Sequence, residues 1–338
     1  MKPHILITAG DPLGIGPEII AKALAIGQTR AAADFTVIGD TRALKNAGFK
    51  SGFAPVVPVD AASLDLNNPG PGARPGLASF KAVKLALKLL KKGAFDALVT
   101  APVSKEAWRL AGIRHTGHTD LFRCETGLQP LMTFILGTPS GGLSLANTTR
   151  RSRHRRTPHK RFPLGPVRAA LVTEHLALKQ LPGKIKKDLV IAKALLFSAA
   201  LKRLGIARPG IILTALNPHA GDGGLLGAEE TQTLKPAIAH LRKKGLRIAG
   251  PAPTDAAWAA HLKGLADGIL CLYHDQALGP LKLLPGAGRA VHWTWGLPFI
   301  RTSPAHGTAF DIAGQGVADP SSMTEALLFA AKLVLKKG

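Results

Sequence analysis

The chain has 338 residues, of which 46% are apolar and 5% aromatic, so it can build a large core of Ala, Leu, Ile and Val and is not a disordered chain. That composition suits parallel strands covered by helices. Forty-four Lys and Arg against 21 Asp and Glu give a formal charge of +23, and no apolar run approaches the ~18 residues of a membrane span.

Short apolar runs alternate with helix-like segments along the chain. HILITA reads as a first strand, too short and too soon interrupted by Gly10 for a signal peptide. A helix opens at Pro17, then DFTVIGD is followed by TRALKNAG, and over residues 81–92 lysines interleave with Ala and Leu as on a solvated helix face. DALVTAPV precedes KEAWRLAG, and RAALVTEHLAL, PGIILTALNPHA, LRIAGPAPTD and ADGILCLYHD continue the pattern. SMTEALLFAAKLVLKKG closes it as an amphipathic helix. Alternation of this kind predicts βαβ units and a largely parallel sheet.

Residues 137–166 break the rhythm. Seven Lys or Arg fall within residues 150–161, and such a run cannot bury a face, so it is expected as an exposed loop with His154 and His159 as solvated bystanders. Removing those seven leaves +16, spread over helices, with little aromatic interleaving to stack bases. Net charge alone is therefore a poor argument for nucleic-acid binding. Cys124 and Cys271 form no disulfide framework and no Cys-x-x-Cys site, which points to a reducing, cytoplasmic location.

Three histidines stand at the expected C-terminal ends of strands: His175 in LVTEHL, His219 in LNPHAGDGG and His274 in LYHDQ. Open α/β sheets bind ligands there. Separations of 44 and 55 residues exclude a local metal motif, so only the fold could assemble them. Three neutral imidazoles leave coordination positions open, as a catalytic metal requires, and favour Zn²⁺ or a similar transition metal over Mg²⁺. The Gly-rich turn GDPLGIGPE at residues 10–18 is neither a G-x-G-x-x-G fingerprint nor a P-loop.

HGTAFDIAGQG, residues 306–316, resembles the adenosine-binding loop of the β-decarboxylating dehydrogenases, the isocitrate and isopropylmalate group. Gly307, Thr308, Ala309 and Asp311 become candidate cofactor contacts, and Asp319 a candidate to repel a 2′-phosphate, which favours NAD over NADP. A closer resemblance runs from about Ile5 to the C-terminus, the basic segment excepted. ITAGDPLGIGPEI, VTAPVSKEAW, GHTDLF, LVTEHLAL, LNPHAGDGGLLGAEE, GPAPTD, YHDQALGPLK and GLPFIRTSPAHGTAFDIAGQG are similar, in order, to blocks of the 4-hydroxythreonine-4-phosphate dehydrogenase family of pyridoxal phosphate synthesis.

The resemblance implies an α/β fold of two α/β/α domains with a cleft between them, isopropylmalate dehydrogenase-like. A discontinuous cofactor-side domain would span residues 1–125 and 288–338, and a metal, substrate and dimerisation domain residues 126–287. It implies a homodimer sharing its metal site, with His175, His219 and His274 as ligands to zinc, or to cobalt or magnesium. It implies substrate contacts from His118, Thr119, Lys282 and Arg301, and NAD-dependent oxidation of 4-phosphohydroxy-L-threonine with decarboxylation to 3-amino-2-oxopropyl phosphate. Asp255 is a candidate for proton transfer, with a place at a helix N-terminus as its rival reading. The position usually Asn in that family is His292 here, flanked by Trp293 and Trp295, which bears on substrate choice. A paralogue acting on a phosphorylated threonate or erythronate, or on a cyclic diol, stays open, as does a basic binding protein without catalysis.

Overall fold

The computed structural model describes residues 2–59, 61, 64–137 and 166–336. The expected basic loop thus lies, its two end residues apart, outside the described residues. The chain divides into two compact units, Met1–Pro130 with Gly288–Gly338, and Leu131–Ala287. Among the described residues the strands are β1 (His4–Thr8), β2 (Asp34–Gly39), β3 (Val56–Pro58), β4 (Ala97–Thr100), β5 (Leu131–Leu136), β6 (Val167–Leu171), β7 (Gly210–Thr214), β8 (Arg247–Ala252), β9 (Gly268–Cys271), β10 (Val291–Trp295) and β11 (Ile300–Pro304). No helix among these residues is long and apolar enough to cross a membrane.

In the first unit the strands run in the order β3-β2-β1-β4-β11-β10. All neighbours are parallel except β10 and β11. The central strands are buried on both faces, which is why HILIT and ALVT read as continuous apolar runs and not as alternating ones. The helix Ala73–Lys91 covers β1, β2 and β4, and the helix Ser321–Leu335 covers β4, β10 and β11. In the first of these, Ala82, Val83, Ala86, Leu87 and Leu90 face a core containing Leu6, Ile38 and Leu98, while Lys81, Lys84, Lys88 and Lys91 stay in solvent. The lysine-studded face expected from the sequence is therefore a solvated one.

The second unit orders its strands β5-β6-β9-β7-β8, with β5 antiparallel to β6 and the rest parallel. Its helices include Lys187–Arg203, Lys235–Lys243, Thr254–Leu262 and His274–Leu283. Gln276 pins the C-terminal ends of β7 and β9 to the last of these. Its Oε1 accepts from Thr214 Oγ1 at 2.7 Å and from the Leu272 N–H at 2.9 Å, and its Nε2 donates to the Ala215 carbonyl at 2.6 Å. The Trp258 indole then donates to the Gln276 carbonyl at 2.7 Å.

Gly76 lets the helix Ala73–Lys91 cross the helix Lys105–Leu110 at backbone contact, because a Cβ there would overlap the Ala107 carbonyl. The crossing is tied by the buried Trp108 indole, which donates to Ser79 Oγ at 2.9 Å. Gly76→Ala is expected to cost about 1–3 kcal/mol through overpacking. Urea denaturation checks this, and an unchanged midpoint refutes it.

Candidate active site

The antiparallel pair β10–β11 sets Thr294 opposite Arg301 and His292 opposite Ser303. Side chains opposite one another on one face of a sheet meet, and here they converge on a guanidinium that is 3% exposed. Arg301 Nη1 donates to Thr294 Oγ1 at 2.8 Å and to His292 Nδ1 at 3.1 Å, and Nη2 donates to Thr100 Oγ1 on β4 at 2.6 Å. The guanidinium carbon lies 5.6 Å from the centre of the Phe122 ring. Thr100, Thr294 and Phe122 carry no charge, and among the described residues no carboxylate lies within salt-bridge reach of the guanidinium. Burial pulls its pKa down to about 9, so at neutral pH it remains a cation. Because Arg can only donate, His292 Nδ1 is the acceptor, and a neutral His292 carries its proton on Nε2.

Beside this cation stands His118, the first residue of the helix His118–Thr126. Its ring is 5.9 Å from both Trp108 and Phe122. Its Nε2 is enclosed and meets no hydrogen-bond partner among the described residues. Burial, and then the charge of Arg301, hold its pKa well below the ordinary value of 6.5, so the imidazole is neutral near pH 7. Thr119 follows it, 9% exposed. Trp293 and Trp295, which flank His292 in sequence, do not share its side of the strand. Alternation along β10 turns Trp293 to the opposite face, where it is 1% exposed and packs edge-on against Trp295 and Phe329.

In the second unit His175, His219 and His274 follow the C-terminal ends of β6, β7 and β9, and β6-β9-β7 are consecutive parallel neighbours. The three thus leave one end of one sheet. The His175 and His274 rings are 5.4 Å apart. His274 Nδ1 lies 2.7 Å from Asp275 Oδ1, the carboxylate–imidazole pairing that fixes a ligand's tautomer and leaves Nε2 for a metal. Within a single chain the three do not close on one point. Among the described residues, the group whose ligand atoms all lie within 4.8 Å of one another is His115, Asp120 and Cys124, where Asp120 is already held by His115, by the Thr116 N–H and by Arg123.

His219 occupies an unusual backbone. Residues 219–223 all have positive φ, and His219, Ala220 and Asp222 are not glycine. The carboxylate of Glu230, 0% exposed, holds the stem of this loop. Its Oε1 accepts from the Leu216 and Asn217 N–H groups at 2.8 and 2.9 Å, and its Oε2 from the Asn217 side-chain amide at 2.9 Å. Burial alone would raise its pKa, but these hydrogen bonds outweigh it and hold the group below the ordinary 4.5.

The sequence profile described as "Pyridoxal phosphate biosynthetic protein PdxA" matches residues 17–330. The chain belongs to the PdxA family. The 4-hydroxythreonine-4-phosphate dehydrogenase of Caulobacter vibrioides is 37% identical, across 99% of this chain and 98% of that one. The crystal structure of 4-hydroxythreonine-4-phosphate dehydrogenase from Klebsiella pneumoniae is 32% identical, with a TM-score of 0.75 over 99% of this chain and 98% of that one. An isocitrate dehydrogenase from Methylococcus capsulatus, 14% identical with a TM-score of 0.51 over 99% of this chain and 85% of that one, shares the fold alone. The α/β architecture expected from the isopropylmalate-type resemblance is the one observed.

Within this PdxA-family fold the cofactor candidates lie on the irregular segment between β11 and the helix Ser321–Leu335. The Thr308 carbonyl accepts from the Ile15 N–H at 2.9 Å, and Gly14 permits the approach, since a Cβ there would stand 3.0 Å from that carbonyl oxygen. Gly307 and Asp311 are exposed, Ala309 has φ +43°, and the Asp311 carbonyl accepts from Gln315 Nε2 at 2.7 Å. Asp319 is exposed, and its Oδ1 accepts from the Ser321 N–H at 2.8 Å, a turn leading into the helix. Lys282 is exposed in the last turn of His274–Leu283. Asp255 is exposed in the first turn of Thr254–Leu262, where the cap position belongs to Pro253. The sequence reading missed Thr100, Thr294, Ser303, Glu230 and Gln276. All five are buried polar groups that contact a named site residue or hold its loop, and all but Thr294 sit inside a motif block whose other members are the more conspicuous.

Glu230→Gln is expected to remove about 1.5–3 kcal/mol at neutral pH, since hydrogen bonds to a charged group are the stronger ones. The folded-state pKa lies below the unfolded one, so this contribution is complete above about pH 4.5, the ordinary value, and is lost as pH falls through the folded-state value. Wild type and variant should therefore converge in acid. Urea titrations at several pH values check it, and a gap independent of pH refutes it.

Proposed function

We propose that the chain catalyses NAD-dependent oxidation of 4-phosphohydroxy-L-threonine, with decarboxylation to 3-amino-2-oxopropyl phosphate. The observation that carries this reading is the buried Arg301 cation, which among the described residues has no carboxylate within salt-bridge reach. A buried charge without a counter-charge is costly, and a substrate phosphate or carboxylate is the missing anion. A planar guanidinium suits either group by paired hydrogen bonds. The motif match over the full length and the names of the relatives select the substrate within that class.

Arg301 anchors the anion, held in place by Thr100, Thr294 and His292. His118 is neutral, so its role is hydrogen bonding from its enclosed Nε2 and not charge. Thr119 adds a hydroxyl, Lys282 a second cation, and Asp255 moves the proton. Histidines 175, 219 and 274 hold a divalent metal, zinc by the all-nitrogen donor set. Two of the rings are already adjacent and one imidazole is carboxylate-oriented, so the residues fit such an ion, and a homodimer sharing its sites completes the set. When bound, that ion supplies Lewis acidity at the substrate's alcohol oxygen and at the later carbonyl, and NAD accepts the hydride. The cofactor lies along Gly307, Thr308, Ala309 and Asp311, and NAD is preferred over NADP because Asp319 repels a 2′-phosphate.

The test is NAD⁺ reduction with 4-phosphohydroxy-L-threonine by the purified protein, with and without added Zn²⁺, Co²⁺ or Mg²⁺. Turnover that depends on the metal is expected, and no turnover with any of the three refutes the reading. Arg301→Lys should lower kcat/KM about 100-fold, or about 2.7 kcal/mol, because a lysine cannot reproduce the fork. Equal kcat/KM in that variant would remove Arg301 from substrate binding. Independently of turnover, inorganic phosphate should raise the thermal midpoint of the wild type and not of Arg301→Leu, since only a folded-state ligand stabilises.

A further inference from the structure

The Gly-rich turn GDPLGIGPE is not a phosphate-binding loop by its spacing, yet the structure puts two of its features to one use. At one end, the Ile15 N–H donates to the Thr308 carbonyl at 2.9 Å. At the other, Lys22 Nζ reaches across nearly the whole chain and donates to the carbonyls of Gly316 and Ala318, each at 2.8 Å. Its third donor goes to Glu18 Oε1 at 2.7 Å, one helical turn back. The same Glu18 oxygen accepts from the Ala318 N–H at 2.8 Å. Glu18 is 6% exposed, so this is a partly desolvated, charge-assisted clasp and not a surface pair. All three ammonium protons of Lys22 are engaged.

The hydrogen bonds within the clasped segment are short-range, that of the Gln315 side chain to the Asp311 carbonyl among them. Between β11 and the helix Ser321–Leu335 its own backbone bonds are local turns, Ile312 N–H to the Ala309 carbonyl, Ala313 N–H to Phe310 and Gln315 N–H to Ile312, each at 3.2–3.3 Å. Ala309 sits at positive φ, a conformation a free segment would leave. A cavity of about 150 Å³ lies against it, lined by Leu13, Gly14, Lys22, Asn46, Ala313 and Gly314 among others. The helix Gly16–Ala25 and the turn before it therefore act as a mould for the segment that walls this cavity.

We propose that Glu18 and Lys22 are positioning residues for the cofactor: they hold residues 306–318 in the shape that accepts NAD, without touching the reacting atoms. This rests on the NAD reading above. Binding to a pre-shaped loop costs less ordering than binding to a loose one, so loss of the clasp should appear in cofactor affinity and not in the chemical step.

The test uses the full-length, metal-loaded protein and two variants, Lys22→Met and the milder Glu18→Gln, which keeps an acceptor for the Ala318 N–H. KM for NAD should rise about tenfold in Lys22→Met, equal to about 1.4 kcal/mol. Meanwhile kcat and KM for the phosphorylated substrate should stay near wild type. Amide hydrogen exchange across residues 312–318 should quicken, with strand amides unchanged. If Lys22→Met does not fold, Glu18→Gln carries the same comparison. An unchanged KM for NAD in a folded variant, or equal rises in KM for NAD and for substrate, overturns the proposal. A wild type that turns over no substrate with NAD overturns the NAD reading and this inference with it, and that failure is seen before any variant is made.

Discussion

A buried guanidinium is the constraint around which the first unit is organised. Taking a cation out of water costs several kcal/mol even after relaxation, and hydrogen bonds from Thr100, Thr294 and His292 offset only part of that. The position is held by register. Arg301 is paired with Thr294 across β10 and with Leu98 along β4, so a slip of one residue would turn the guanidinium to the other face. The same register puts Trp293 under the helix Ser321–Leu335, so the packing that fixes β10 also fixes the cation. An anion that enters this place meets donors already aimed, and the reorganisation it would otherwise require has been met in folding.

The second unit solves a different problem with a buried anion. Five consecutive left-handed residues place His219, and for the non-glycine ones such a backbone costs of order 1–3 kcal/mol each. Glu230 fixes the strand-side stem of that loop through three hydrogen bonds, and Gln276 does the like for the ends of β7 and β9. Strained backbone persists where surrounding structure over-determines it. Here the determinants lie outside the strained turn itself, Glu230 seven residues beyond Gly223 and Gln276 in the first turn of the helix His274–Leu283.

How much of this could be read from the sequence depends on what carried each signal. Strands buried on both faces, such as HILIT, ALVT and GILC, announce themselves as apolar runs, and the lysine-studded helix Ala73–Lys91 by its period. The three histidines were legible because each follows such a run. By contrast VHWTW, a strand with one face in the core and one on a cation, reads as alternation too short to trust beside a motif. LMTFIL went unread because an apolar run of six fits strand or helix segment equally. Nothing local shows that Thr100 and Thr294, 194 residues apart, share one guanidinium, since that depends on β4, β11 and β10 being neighbours. Adjacency along a strand likewise separates the flanking Trp293 from His292, since successive side chains point to opposite faces.

His118 in the first unit and His274 in the second stand in contrasting surroundings. His118 is packed between aromatic rings beside a cation, and both effects push it toward the neutral form. It can therefore neither attract an anion by charge nor serve as an acid near neutral pH, and the cation beside it is Arg301. His274 is partly exposed, and its Nδ1 lies 2.7 Å from the Asp275 carboxylate, which fixes the orientation of the ring. A buried neutral imidazole discriminates by hydrogen bonding, because leaving its Nε2 unpartnered in a complex costs what an unmade buried bond costs. In this part of the first unit, then, hydrogen-bonding selectivity resides in the enclosed Nε2 of His118 and positive charge in Arg301.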